Sequence, residues 1–134
     1  MSLIKEVWAC HEHEHESFDY YECSEAFARK IILSREFDRV LVVERTVDLA
    51  NRAKSWAREH GVPNCYSNRN DYKGVDFTSP GSSMSRGQRA YNCIILFNSD
   101  SYSTNFREFE LAVIGMSYKW CVAYGQSFLY LKVI

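Results

Sequence analysis

The chain has 134 residues, is 46% hydrophobic and 15% aromatic, and carries a formal net charge of −1. That length suits one domain with a real core, and the charge balance excludes a global attraction to nucleic acid or to an acidic membrane. No apolar run approaches the roughly 18 residues of a membrane span, and "MSLIKEVWAC" lacks a signal-peptide layout, so a cytoplasmic location is expected.

In chain order, "IKEVWAC" (4–10) reads as a first strand, and "FDYYECSEAFARKIIL" (18–33) as a helix capped by Ser17, with Tyr20, Cys23, Phe27 and Ile31 at helical spacing. "RVLVVE" (39–44) is a buried strand. "VDLANRAKSWAREHG" (47–61) is a helix capped by Thr46, with Leu49, Ala53, Trp56 and Ala57 on its inner stripe and Gly61 then Pro63 to end it. "NCYS" (64–67) is read as a short third strand. Residues 68–89 are polar and rich in Gly, Ser and Asn, and read as a long loop, functional or disordered. "YNCIILFN" (91–98) is a strand, 105–120 a helix, and "WCVAYG" and "FLYLKVI" supply one or two last strands. Strands alternating with helices predict a single Rossmann-like α/β domain of about five mainly parallel strands covered on both faces. Its ligands should bind beyond the carboxyl ends of the strands, where segments 11–17, 44–47, 68–89 and 99–105 gather.

The five cysteines, Cys10, Cys23, Cys65, Cys93 and Cys121, are odd in number, widely spaced and without a C-x-x-C, so neither a disulfide framework nor a zinc knuckle is expected. Cys10, Cys93 and Cys121 lie in apolar runs and read as small buried hydrophobes. "CHEHEHES" (10–17) places His11, His13 and His15 on one side of an extended segment. A zinc pair there needs a third ligand. His60 ends a helix, where it suits the dipole, so His11 and His13 are weak metal candidates and no cofactor is expected.

"NFREFELAVIGMSYKW" (105–120) carries the most pointed feature. At about 100° per residue, Phe106, Phe109, Val113, Ile114, Met116 and Trp120 share one stripe. Glu108 falls opposite, three residues after Asn105, where it closes a capping box. Glu110 falls inside the apolar stripe. A carboxylate there, near a helix N-terminus that faces the expected site, is placed to act as a nucleophile or base, or to be a paired structural carboxylate. "SPGSSMSRGQR" (79–89) offers backbone N–H groups near Ser82 and Ser83, and Arg86 or Arg89 for an anion. Tyr72, Phe77 and Tyr102 are loop aromatics able to stack a base.

"YNCIILFNSDSYSTNFREFELAVIGMSYKWCVAY" (91–124) resembles the C-terminal part of nucleoside 2-deoxyribosyltransferases, with Phe109-Glu110 on that family's Phe-Glu pair and Lys119–Tyr124 on its last strand. "FDRVLVVERTVDLANRAKSWAREHGVP" (37–63) and "SSMSRGQRAYNCIILF" (82–97) are similar to the SLOG nucleotide-binding group, which includes phosphoribohydrolases. Where those proteins have glycine turns, this chain reads "ERTVD" and "SYSTN". The resemblance implies a nucleoside or nucleotide ligand and chemistry on its N-glycosidic bond. Glu110 would be the nucleophile, with Asp100 positioning the reacting group. Tyr102 or Asn98 would orient the sugar, Arg86 or Arg89 would hold a phosphate, and Ser82, Ser83, Ser103, Thr104, Asn105, His11 and Arg45 would bind the ligand elsewhere. Two other functions are considered: a non-catalytic binder of a nucleotide-derived ligand and, behind it, a metal-dependent hydrolase built on the histidine run. A homo-oligomer is expected, and neither a membrane nor nucleic acid as partner.

Overall fold

The computed structural model describes residues 12–13, 20–62, 74–80, 90–97 and 106–134. Its elements are β1 (Glu12–His13), β2 (Tyr20–Cys23), α1 (Glu25–Ser34), β3 (Arg39–Val43), α2 (Val47–Glu59), β4 (Gly74–Thr78), β5 (Cys93–Leu96), a long helix α3 and β6 (Leu129–Val133). α3 runs through Phe106–Phe109, a π-helical turn Glu110–Ile114, and Gly115–Ala123. The sheet order is β1-β2-β6-β5-β3-β4. β1 pairs antiparallel with β2, and every other pair is parallel. The expected α/β sheet of five parallel strands is therefore present, and β1 adds an antiparallel edge.

The helices take their faces from the direction of the crossovers. β2–α1–β3 and β3–α2–β4 both advance across the sheet towards β4, while β5–α3–β6 runs the other way. Right-handed connections then put α1 and α2 on one face and α3 on the other. Strand alternation supplies a core to each. Val40, Val42, Val75, Phe77, Cys93, Ile95, Leu129 and Leu131 pack under α1 and α2 with Ala28, Ile31, Ile32, Ala50 and Ala57. Leu41, Val43, Ile94, Leu96 and Tyr130 pack under α3 with Phe109, Val113 and Ile114. The chain changes direction between the neighbouring strands β3 and β5. Their carboxyl ends flank the switch point where open α/β sheets bind ligands.

Three expectations are corrected. Tyr20–Cys23 is a strand, and the helix starts only at Glu25. The run has helical spacing, but its pairing with β1 and β6 makes it a strand. Ser24, with extended φ and ψ, caps the helix by accepting from the Phe27 N–H at 3.1 Å, the role expected of Ser17. Within the segment read as a loop, Gly74–Thr78 forms β4, paired along its length with β3. "WCVAYG" is not a strand, because 120–123 continue α3, and Leu129–Val133 alone supplies the last strand. α2 follows its sequence signals. Thr46 Oγ1 accepts from the Leu49 N–H at 3.2 Å, and Gly61 past the end adopts φ +76°. The segments 4–10 and 64–67 lie outside the described residues.

Candidate functional site at the carboxyl edge of the sheet

Glu110 is buried, 5% exposed, as the helical stripe requires. The helix around it is not regular. The Gly115 N–H donates to the Glu110 carbonyl, an i→i+5 bond that inserts one extra residue into the turn. The insertion advances the buried stripe by one position. Past the π turn, Ser117 and Cys121 are fully buried, while Met116 and Trp120, expected there, are half-buried. Trp120 instead lies at the helix margin with the Arg39 guanidinium 4.7 Å from its ring centre.

Beneath α3, the Tyr130 hydroxyl reaches Glu110 Oε2 at 3.5 Å, the long end of hydrogen-bond range. Tyr130 meets Tyr20 edge to face, ring centres 6.3 Å apart. Lys132 Nζ lies 4.0 Å from the Tyr20 ring centre and 5.6 Å from that of Tyr130. A carboxylate, two phenol rings and an ammonium group thus share the α3 face of the sheet. On the same face Asp76 of β4 is buried and accepts from the Tyr91 hydroxyl at 2.8 Å. The Tyr91 backbone is held against α3, its N–H donating to Ser117 Oγ at 3.1 Å and its carbonyl accepting from the Cys121 thiol at 3.6 Å.

On the opposite face, α1, α2 and the ends of β3, β4 and β5 enclose a cavity of about 310 Å³. Its walls are Val42, Phe77, Phe97, Leu49 and Trp56, and its charged groups are Glu25, Arg29, Glu44 and Arg52. Arg29 lies over the Trp56 ring at 4.5 Å and pairs with Glu25 at 3.8 Å. Glu44 follows the last residue of β3 and is 8% exposed. Burial pushes its carboxyl above the ordinary range, Glu25 adds to the rise, and Arg29 opposes it. A second cavity, about 230 Å³, lies at the other edge of the sheet, around Phe37, Asp38 and Gly74.

Of the residues expected at the site, Glu110 is buried under α3, and Arg45 is exposed between β3 and α2 at the carboxyl edge. Phe77 is no loop aromatic: it lies within β4, is buried, and forms a cavity wall. His11, Tyr72, Ser82, Ser83, Arg86, Arg89, Asn98, Asp100, Tyr102, Ser103, Thr104 and Asn105 lie outside the described residues, as does the side chain of Glu108. His13 is in β1. His60 closes α2, with Nδ1 2.8 Å from the Trp56 carbonyl oxygen. No group of metal-ligating side chains occurs among the described residues. Cys93 and Cys121 are buried, and desolvation raises both thiols, as small hydrophobes rather than nucleophiles. No helix among the described residues is long and apolar enough to cross a membrane.

Sequence reasoning missed Glu44, Arg29 and Arg52. Glu44 ends an apolar strand run, and Arg52 and Trp56 are four apart on α2. Both are local signals, but their convergence depends on α1, which is brought in from another part of the chain.

The fold and the carboxyl-edge arrangement define a Rossmann-like parallel α/β domain. No known family model matches the chain, and no curated protein or solved structure is significantly similar to it. The deoxyribosyltransferase alignment also loses its anchor, because Lys119 to Ala123, set on that family's last strand, are helical here. Nor does α2 begin with a phosphate cradle. No glycine precedes it, and the Thr46 side chain already takes one of the free N–H groups of its first turn.

Proposed function

We propose that the protein binds a nucleoside or nucleotide at the carboxyl edge of its sheet and acts on the N-glycosidic bond through Glu110. The observation that carries this reading is a carboxylate held in a π-helical turn within reach of the Tyr130 hydroxyl. Such turns disrupt the regular ladder and recur at functional sites. In the proposed reaction a Glu110 oxygen bonds to C1′, and the bond from C1′ to the base nitrogen breaks. The base leaves with the bonding pair and takes a proton from solvent. Water or a second base then attacks C1′ and releases the carboxylate. The Tyr130 O–H stabilises the ionised carboxylate before it attacks and again as it is released.

The test is chromatographic detection of free base from a panel of nucleosides and nucleotides. Wild-type protein is expected to release base from at least one member, and Glu110→Gln to release none. Equal release by the variant would reject the role of Glu110.

A second reading, a non-catalytic binder of a nucleotide-derived ligand, is favoured by the near-complete burial of Glu110. It is supported if copurified ligand is recovered intact after incubation and denaturation, and rejected by released base. We also propose self-association. Leu111, Tyr118 and Val122 are exposed on the outer side of α3, and Val122→Glu is expected to lower the mass seen by light scattering.

A further inference from the structure

The cavity between α1 and α2 holds a carboxyl in a setting unlike that of Glu110 in α3. Glu44 is 8% exposed and lines it, yet its carboxyl accepts no hydrogen bond from any described residue. Only its backbone N–H is engaged, donating to the Thr78 carbonyl at 2.8 Å. The charges that face it come from α1, Glu25 and Arg29, and these are paired with each other. From α2 comes Arg52, which forms no ion pair with any described residue. β4 and β5 present only Phe77 and Phe97.

A buried carboxyl without donors costs free energy, and native proteins satisfy such groups with a partner. The partner that suits this cavity has three parts. It brings N–H donors to one carboxylate, a flat apolar body to Phe77, Phe97 and Trp56, and an anion to the guanidinium at the mouth. Guanine has two parallel N–H donors, at N1 and the 2-amino group, spaced to meet both oxygens of a carboxylate. Its ring stacks on aromatic walls, and a phosphate matches a free guanidinium. The volume, about 310 Å³, lies within the range of small-molecule sites. Glu44 and Phe97 stand at the ends of β3 and β5, the strands that flank the switch point.

We infer that this cavity is a guanine mononucleotide site, with Glu44 accepting from the base and Arg52 holding the phosphate. It lies on the face of the sheet away from Glu110 and does not depend on the chemistry assigned there. Donors from the base favour the ionised carboxyl, so binding weakens as pH falls through the Glu44 titration.

The test is titration of the full chain with guanosine 5′-monophosphate, followed by calorimetry and by Trp56 fluorescence. Binding with quenching is expected, and Trp56→Phe should remove the quench. Inosine monophosphate, which lacks the 2-amino group, should bind about tenfold more weakly. Adenosine monophosphate, which lacks the N1–H, should bind more weakly still. Glu44→Gln should weaken the guanine nucleotide about tenfold or more, while its melting temperature shows that it is folded. Arg52→Ala should weaken the nucleotide but not guanosine. The inference is overturned if guanosine monophosphate does not bind at millimolar concentration, if Glu44→Gln binds it as wild type does, or if adenosine monophosphate binds equally well. Because the readout is binding rather than base release, its failure leaves the Glu110 assay standing.

Discussion

The two faces of the sheet each bury a glutamate, and they treat it in opposite ways. Under α3, Glu110 sits in a widened helical turn with the Tyr130 hydroxyl beside it, and Asp76 of β4, on the same face, has the Tyr91 hydroxyl at 2.8 Å. Between α1 and α2, Glu44 faces open volume and two arginines, with no donor supplied by the described residues. The α3 face builds partners for its carboxylates, so removing a partner there should cost stability or activity. The α1/α2 face leaves one carboxyl for something else to satisfy, so removing its charge should help the empty protein.

The largest effect that would break this contrast is on turnover. Glu110→Gln is expected to lower base release by on the order of 10³-fold or more, and release at the wild-type rate would leave the α3 face purely structural. Tyr130→Phe keeps the carboxylate and removes one donor to it, so release should fall by about tenfold or more, in line with a hydrogen bond to a charged group. A rate unchanged in Tyr130→Phe would detach the phenol from the chemistry.

Stability sharpens the comparison. Tyr91→Phe takes a donor from the buried Asp76 and should destabilise by about 1–3 kcal/mol in urea unfolding. Glu44→Gln should do the reverse at neutral pH and raise the melting temperature. The sign follows from linkage. Burial holds the Glu44 carboxyl above its ordinary value of 4.5 in the folded protein, so the folded state binds the proton more tightly than the unfolded state. Stability is lost as pH rises from that ordinary value through the folded one. The advantage of Glu44→Gln should therefore shrink as pH is lowered and vanish below it. A melting-temperature difference constant from acid to neutral pH would show that Glu44 is not desolvated.

The same two faces differ in how far the sequence exposes them. α2 is legible in full because Thr46, the Leu49–Trp56 stripe and Gly61 agree with one another. β3, β5 and β6 are apolar runs too short for helices. Glu110 is legible because a helical wheel needs only local spacing. The π turn is not, since it keeps the same residues and changes only their phase after 114. Tyr20–Cys23 carries helical spacing, and its place between β1 and β6 makes it a strand. β4 is hidden by Asp76, a charged residue in the middle of a five-residue strand, whose burial depends on Tyr91 across the sheet. Glu44 stayed hidden for the same reason. The walls of its cavity come from α1, α2, β4 and β5, and no local window contains them.

The most direct test of the Glu110 assignment is intact-protein mass spectrometry of a rapidly quenched reaction with the substrate that releases base. A sugar adduct is expected on the peptide that contains Glu110, and none in Glu110→Gln. Base release with no adduct, or an adduct on another residue, would contradict it.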